Sequence, residues 1–174
     1  EFKRTSNRHD YALEPTGRTA LNVLKDEGFD VLGVGKIYDI FASQGITKTW
    51  HSDSSVHGME QTIQMAGADF TGLCFTNLVD FDSKFGHRRD IDGYAAAISE
   101  FDEWLPSFTA KLGDGDVLMI TADHGCDPGD TSTDHTREYV PFLMYGENIP
   151  EENLGTISGF DYISNTVCRL LGIN

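Results

Sequence analysis

The chain has 174 residues and a formal charge of −15 at pH 7, from 13 basic and 28 acidic side chains. This length is sufficient for one domain with a sizeable core. So strong an excess of acidic residues argues against binding to the phosphate backbone of a nucleic acid. No apolar run approaches the length of a membrane span, and no secretory signal opens the chain. We therefore expect neither a nucleic acid nor a membrane as a partner.

The predicted helices and strands alternate along the chain. In order, we predict a helix over 16–27, a strand over 29–35, a loop over 42–53, a helix from Ser54 or Ser55 to about 65, a strand over 71–79, a helix from Asp90 to about 112, strands over 117–120 and 139–145, and a helix from Ser158 to about 171. The strand over 117–120 is a continuous apolar run, as expected of a strand covered on both faces. Such alternation implies a mostly parallel sheet with helices on both faces, which is an α/β fold of three layers.

The turn and cap residues support these boundaries. Thr16 is predicted to cap the first helix and Gly28 to end it. Ser158 followed by Asp161 resembles a capping box, and Pro141 favours an edge or the start of a strand. Aromatic residues recur at helical spacing in 90–112, which indicates a stripe packed against a core.

The first polar cluster follows the strand over 71–79. The period of two of an extended backbone places Asp80 and Asp82 on one face. His87 lies five residues after Asp82, across a turn that contains Gly86, so both side chains can face one ion. Asp80 is interpreted either as a partner of a ligating histidine or as a cap of the turn.

The second polar cluster follows the strand over 117–120. It begins with Asp123 and His124, and His135 follows beyond a loop rich in Gly, Pro, Asp, Ser and Thr. Asp127 and Asp134, in or beside that loop, are interpreted as residues that structure it. Carboxylate and imidazole ligands together suit ions such as Mn²⁺, Zn²⁺ or Fe²⁺.

The two clusters predict a metal site with an incomplete set of donors. The candidate ligands are Asp82, His87, Asp123, His124 and His135. Two ions about 4 Å apart can clamp a phosphoryl group between them. Such a pair of ions needs more donors than these, and at least one carboxylate and a nucleophile are not found in the chain.

Basic residues could bind a phosphate near these clusters. Lys36 follows a strand that ends at Gly35, so it is a candidate for the same crevice. For each arginine taken alone a surface salt bridge is the favoured interpretation, with phosphate binding as the alternative; these residues are Arg4, Arg8, Arg88, Arg89 and Arg137.

The three cysteines, Cys74, Cys126 and Cys168, lack the spacing of a zinc site. An odd number of scattered cysteines is typical of reduced thiols in an intracellular protein, and we expect a cytoplasmic location. Cys126 lies within the second cluster, where a role as ligand or nucleophile is the lesser alternative because only His124 is near it as a basic group.

At these residues the chain resembles the phosphopentomutase family of the alkaline phosphatase-like superfamily. The segments that carry the resemblance are 4–11, 33–37, 77–82, 86–90, 121–128 and 133–141. The resemblance implies an alkaline phosphatase-like core, with one metal ion bound by Asp82, His87 and His135. Asp123 and His124 match ligands of a second ion, and Lys36 and Arg4 fall on segments that face the sugar phosphate.

The resemblance also implies a reaction and a missing part. The family interconverts ribose 1-phosphate and ribose 5-phosphate, and the deoxyribose equivalents, through a phosphoenzyme with two divalent ions, expected to be Mn²⁺, and a sugar bisphosphate activator. Residues 1–174 match the C-terminal part of the metal-binding core domain. The cap domain, one further Asp ligand and the Thr nucleophile would lie in an N-terminal part of the same polypeptide.

Two alternatives stay open. One is a related metal-dependent phosphatase or phosphoglycerate mutase that shares the metal ligands; the segments 86–90 and 133–138 weigh against it because they lie outside the minimal ligand set. The other is a non-catalytic metal-binding fragment, inactive by itself because it lacks the nucleophile. The same ligands accept Mn²⁺ or Zn²⁺.

Overall fold

The computed structural model describes residues 12–173, which divide into two compact units. Unit 1 comprises residues 12–78 and 154–173, and unit 2 comprises residues 79–153. The elements in chain order are α1 (Ala20–Asp26), β1 (Asp30–Val34), α2 (Ile37–Ile40), β2 (Lys48–Trp50), α3 (Ser55–Met65), β3 (Gly72–Thr76), a π-helix (Phe81–Gly86), α4 (Ile91–Thr109), β4 (Leu118–Thr121), β5 (Phe142–Tyr145) and α5 (Asp161–Leu170). Within 12–173, no helix combines the length and the apolar character that crossing a bilayer requires.

Unit 1 is built on a parallel sheet with the strand order β2–β1–β3. In the register of this sheet, Leu32 of β1 lies beside Lys48 of β2 and Cys74 of β3. Helices connect its parallel strands, as the rule for such crossovers requires. The predicted α/β class and its parallel sheet are confirmed in this unit.

The core of unit 1 lies between the central strand and its helices. Val31 and Val34 of β1 and Leu24 of α1 are fully buried. Leu21, Ile37 and Ile46 pack with Leu24 and Val31, and the partly buried Val167 of α5 lies against this cluster. Burying one such side chain contributes about 1.5–3 kcal/mol, so this cluster is the main source of stability in the unit.

The segment predicted as a loop over 42–53 contains β2, which the sequence analysis missed. Thr47 fixes its register: the backbone N–H and the hydroxyl of Thr47 both donate to the carbonyl of Val31, at 2.9 and 3.0 Å. The same hydroxyl accepts the N–H of Val31 at 2.9 Å. A strand of three residues has too short a pattern to be recognised by its periodicity.

Of the N-terminal caps predicted in unit 1, two are wrong and one is confirmed. α1 begins after Thr19, not Thr16, because Thr19 and Asn22 form a reciprocal capping box. Ser54 caps α3 by accepting the N–H of His57 at 3.1 Å, as predicted. α5 follows Phe160 without a side-chain cap, so Ser158 does not open it.

The carboxyl ends of β1 and β3 meet closely at Gly35. Its φ is +82°, and a Cβ at this position would lie 2.5 Å from the carbonyl oxygen of Asn77. Glycine is the residue that accepts both conditions. Lys36 follows this glycine and occupies the N-cap position of α2.

Unit 2 contains an antiparallel pair, β4 and β5, in which Leu118 lies beside Tyr145 and Thr121 beside Phe142. Pro141 directly precedes β5, as its missing N–H led us to predict. The expectation of a strand covered on both faces is wrong for β4 in the described residues. Its first three residues are half-buried and Thr121 is exposed.

The longest helix, α4, begins as predicted. Asp90 caps it, because its Oδ1 accepts the N–H of Gly93 at 2.9 Å. The predicted aromatic stripe is present as ring contacts, with centroids 5.6 Å apart for Phe101 and Trp104 and 5.0 Å for Trp104 and Phe108. Of the residues in α4, Phe108 alone is buried within the described chain, so the stripe is covered less than we predicted.

Candidate metal centre

The π-helix brings Asp82 and His87 together. The backbone N–H of His87 donates to the carbonyl of Asp82 at 3.0 Å, across the five-residue step that defines this helix. His87 Nε2 lies 3.2 Å from Asp82 Oδ1. The predicted convergence of these two residues is therefore present, although a helical turn produces it. The extended face predicted for Asp80 and Asp82 is wrong, since Asp80 is the N-cap residue of that helix.

A backbone carbonyl orients the imidazole of His87. Its Nδ1 lies 2.5 Å from the carbonyl oxygen of Thr133. Because a carbonyl only accepts, Nδ1 carries the proton, and in the neutral ring Nε2 then presents a lone pair toward Asp82. The sequence analysis could not identify Thr133, because a main-chain oxygen leaves no trace in residue type.

His135 completes a three-residue contact around Asp82. Its Nε2 lies 3.2 Å from Asp82 Oδ1, the same oxygen that His87 approaches. This oxygen is buried and accepts no hydrogen bond from any described residue. A buried acceptor without a donor is costly, and a lone pair on His87 Nε2 facing it adds repulsion. A cation shared by these atoms removes both penalties.

His124 joins the cluster by stacking on His135. Their ring centroids are 3.6 Å apart with planes 20° from parallel, and His135 also stacks on His87 at 4.9 Å. His124 Nδ1 lies 3.1 Å from the carbonyl oxygen of Gly125, so Nε2 is again the nitrogen left for a ligand. Donor atoms of Asp82, His124 and His135 all lie within 4.8 Å of one another.

A backbone bridge holds the second cluster in this arrangement. The N–H of Thr136 donates to the carbonyl of Gly125 at 2.9 Å, and the Thr136 hydroxyl accepts the N–H of Asp127 at 3.0 Å. A Cβ at Gly125 would lie 2.9 Å from the carbonyl of Thr136 and would collide with Glu138. Glycine at 125 therefore permits the close approach that aligns His124 with His135.

Asp123 lies at the edge of the cluster. Its Oδ2 is 3.6 Å from His124 Nε2, and its side chain is 75% exposed. It belongs to neither of the groups of three close donors found among the described residues. The structure thus brings together Asp82, His87, His124 and His135, with Asp123 adjacent to His124 alone.

Asp127 structures its loop, as the sequence analysis predicted. Its Oδ1 accepts the N–H of Gly129 at 2.7 Å. Asp130 plays a similar part, because the N–H groups of Ser132 and Thr131 lower its pKa by hydrogen bonding to the carboxylate. The N–H of Asp134 donates to the Ser132 hydroxyl at 3.0 Å, so this segment is a run of local hydrogen bonds.

Cys126 lies close to the cluster, although the sequence analysis treated a ligand role for it as the lesser alternative. Its sulfur, one imidazole nitrogen of His87 and one carboxylate oxygen of Asp82 all lie within 4.8 Å of one another. Partial burial and the Asp82 carboxylate raise the pKa of its thiol. The one signal in the sequence was its place two residues after His124.

The assignment of phosphate-binding residues stays a prediction. Lys36 belongs to unit 1, where it is half-buried. Arg4 and Arg8 lie outside the described residues. Arg88 and Arg137 are exposed residues of unit 2, and Arg89, with φ of 57°, lies in the turn after the π-helix.

Comparison with known proteins identifies relatives of the whole chain. A family model described as "Metalloenzyme superfamily" matches residues 3–174. Phosphopentomutases from Carboxydothermus hydrogenoformans, Agathobacter rectalis and Clostridium botulinum are 53%, 62% and 57% identical to this chain over 99%, 86% and 96% of its length. The matched regions are 45%, 38% and 42% of those proteins, so the chain spans less than half of their length. The family resemblance found in the sequence is confirmed.

A solved structure shares the fold at low identity. The PH0037 protein from Pyrococcus horikoshii matches with a TM-score of 0.60 at 15% identity. The match covers 86% of this chain and 51% of that protein. At this identity the likeness concerns the fold alone.

Proposed function

Because the chain belongs to the metalloenzyme superfamily, we propose that it supplies the metal-binding part of a phosphopentomutase. Such an enzyme interconverts (deoxy)ribose 1-phosphate and (deoxy)ribose 5-phosphate. The relatives at 53–62% identity support this activity. They are more than twice as long as the matched region, so the activity is assigned to a longer polypeptide that includes these 174 residues.

One observation carries the proposal: Asp82 Oδ1 is buried and lacks a hydrogen-bond donor, yet ring nitrogens of His87 and His135 both lie 3.2 Å from it. Two imidazoles that approach one carboxylate oxygen offer the donor types of a borderline to hard divalent ion. Asp82, His87 and His135 are therefore proposed as the protein ligands of one ion, with Mn²⁺ as the expected metal.

The second ion is proposed to bind Asp123 and His124. Its third protein ligand is an Asp from an N-terminal part of the same polypeptide, which also supplies the cap domain and the Thr nucleophile. Residues 1–174 would then be the C-terminal part of the metal-binding core domain. The two ions, when bound, stabilise negative charge on the transferring phosphoryl group.

The residues of this chain hold and orient rather than react covalently. The carbonyls of Thr133 and Gly125 keep Nδ1 protonated in His87 and His124, so both rings present Nε2 to a ligand. Lys36 and Arg4 are proposed to bind the sugar phosphate, where their positive charge offsets the acidity of the chain. A sugar bisphosphate is the proposed activator, and the cytoplasm the proposed location.

The test compares Asp82→Asn with the wild-type sequence in the longer polypeptide. Losing a partner that only supports a metal ligand lowers metal affinity by about 10–100-fold. Because Asp82 is a proposed ligand itself, we expect the variant to bind Mn²⁺ more weakly by at least that factor. Conversion of ribose 1-phosphate to ribose 5-phosphate should fall with it. Asp102→Asn, an exposed carboxylate of α4, is the matched control and should leave both unchanged.

Other outcomes separate the alternatives. Release of free phosphate without isomerisation supports a phosphatase and contradicts the mutase. Stimulation of wild-type turnover by a sugar bisphosphate supports the mutase. The 174-residue chain alone should bind metal without turnover, and turnover from it would contradict the placement of the nucleophile upstream.

A further inference from the structure

Two overlapping sets of donors share Asp82. The first joins Asp82 to His124 and His135, and the second joins Asp82 to His87 and Cys126; in each set the donor atoms lie within 4.8 Å of one another. Both sets belong to unit 2. Asp82 is thus approached by donors of different chemistry: the imidazoles of His87 and His135, each 3.2 Å from its Oδ1, and the thiol of Cys126.

The thiol reaches this position because Gly86 lacks a side chain. Gly86 is the last residue of the π-helix and is buried. A Cβ there would collide with the sulfur of Cys126 and would lie 2.9 Å from the carbonyl oxygen of Phe81. The sulfur therefore packs directly against the turn that carries Asp82 and His87.

The backbone on both sides of Cys126 is fixed. The Gly125 carbonyl accepts the N–H of Thr136, and the Asp127 N–H donates to the Thr136 hydroxyl. Cys126 is half-buried between these two bonded residues. A side chain anchored in this way is a preorganised donor, because little conformational entropy remains to be lost when an ion binds.

A donor set that contains sulfur favours different ions from one that contains only oxygen and nitrogen. Thiolate is a soft ligand that favours zinc and other thiophilic ions, whereas Mn²⁺ prefers oxygen donors and accepts imidazole. We propose that Cys126 and His135 are alternative third donors to an ion held by Asp82 and His87: Cd²⁺ or Zn²⁺ takes the sulfur, and Mn²⁺ takes the imidazole. The thiol releases its proton to solvent when it binds.

This inference rests on the metal centre of the proposed function, and it adds a selectivity to it. Because both ions need Asp82 and His87, they exclude each other. A thiophilic ion should therefore displace Mn²⁺ through a contact that the manganese form does not use. Cys126 would make the protein sensitive to cadmium and zinc without taking part in its reaction with Mn²⁺.

The experiment titrates the longer polypeptide with Cd²⁺ and follows the ultraviolet charge-transfer absorption of a cadmium–thiolate bond. We expect the band in the wild-type sequence and in Cys168→Ser, whose thiol lies in unit 1. Cys126→Ser should lack the band and bind Cd²⁺ at least about tenfold more weakly, the lower bound for losing a partner of a metal site. Its affinity for Mn²⁺, measured by the electron paramagnetic resonance of free Mn²⁺, should be unchanged.

A second variant tests the choice between donors. His135→Ala should keep the cadmium band and lose affinity for Mn²⁺. A band that persists in Cys126→Ser, or one that disappears in His135→Ala, overturns the inference, as does a wild-type protein without a band. A Cys126-dependent band in a wild-type protein that fails to bind Mn²⁺ would support the sulfur donor while contradicting the proposed function.

Discussion

Unit 1 and unit 2 are organised by different interactions. Eight of the nine buried hydrophobic side chains among residues 12–173 belong to unit 1, and unit 2 contributes Phe108 alone. Unit 2 instead carries the stacked histidines and the run of hydrogen-bonded turns around them. Unit 1 is therefore a packed scaffold, whereas the shape of unit 2 depends on local polar contacts.

The difference teaches where a metal centre is built in this chain. Apolar burial is non-directional and tolerates small shifts, so it makes a stable sheet without placing a donor atom. Hydrogen bonds are directional, and those of unit 2 set which nitrogen of His87 and His124 faces the ligand. In unit 2, therefore, the local hydrogen bonds serve mainly to position donor atoms, whereas the apolar core of unit 1 serves mainly to stabilise the fold.

The largest effect is expected from Leu24→Ala in the core of unit 1. Leu24 is fully buried, and such a truncation costs about 2–5 kcal/mol through lost burial and the cavity that remains. Faster amide hydrogen exchange in β1 measures this loss, and Mn²⁺ affinity should not change. Leu13→Ala is the control, since Leu13 is 91% exposed and should cost less than about 0.5 kcal/mol. Equal exchange in the two variants would contradict the division into a packed and a polar unit.

An intermediate effect is expected from Gly86→Ala in unit 2. The added methyl collides with the sulfur of Cys126 and the carbonyl of Phe81, and overpacking of this kind costs about 1–3 kcal/mol. We expect weaker Mn²⁺ binding as well, because the same turn carries Asp82 and His87. Gly113→Ala is the control, since a Cβ there meets only Asp116, at 3.6 Å. Urea unfolding measures the loss of stability, and Mn²⁺ titration measures the loss of affinity. Unchanged metal affinity in Gly86→Ala would show that the turn does not set the ligand geometry.

The smallest effects are expected from the helix caps, one in each unit. Thr19→Ala and Asp90→Ala each remove a side chain that accepts a backbone N–H at the start of a helix, at a cost of about 1 kcal/mol. Hydrogen exchange in the first turns of α1 and α4 measures the two costs side by side. Ser99→Ala, an exposed position within α4, should change exchange very little. A much larger loss in either unit would show that its fold depends on that cap.

Sequence patterns predicted the elements better than their ends. α3 and α4 begin at Ser54 and Asp90 as predicted because a single side chain accepts a local N–H there. α1 was misplaced because Thr16 and Thr19 are both acceptable caps, and the reciprocal bond with Asn22 decides between them. β2 was missed because its three residues are held by Thr47 and the neighbouring strand rather than by a pattern of their own.

The candidate site could be predicted in its residue types, and its contacts could not. The spacing of Asp82 and His87 correctly predicted that the two side chains meet. The backbone predicted at Asp82 was extended, whereas the structure has a π-helix there, which no residue pattern signals. The same limit applies to Cys126, whose approach depends on the absence of a side chain at Gly86.

By itself, the sequence determined the alternation of helices and strands, the family resemblance and the identity of the polar donors. These depend on local chemistry and on short-range spacing, which the order of residues states directly. The tertiary structure alone decided that His87 and His135 approach one oxygen of Asp82, and that the carbonyl of Thr133 orients His87. The contact of His135 with Asp82 and that of Thr133 with His87 join residues 46 or more positions apart along the chain, so only folding brings them within bonding distance. His87 reaches Asp82 through the local turn of the π-helix.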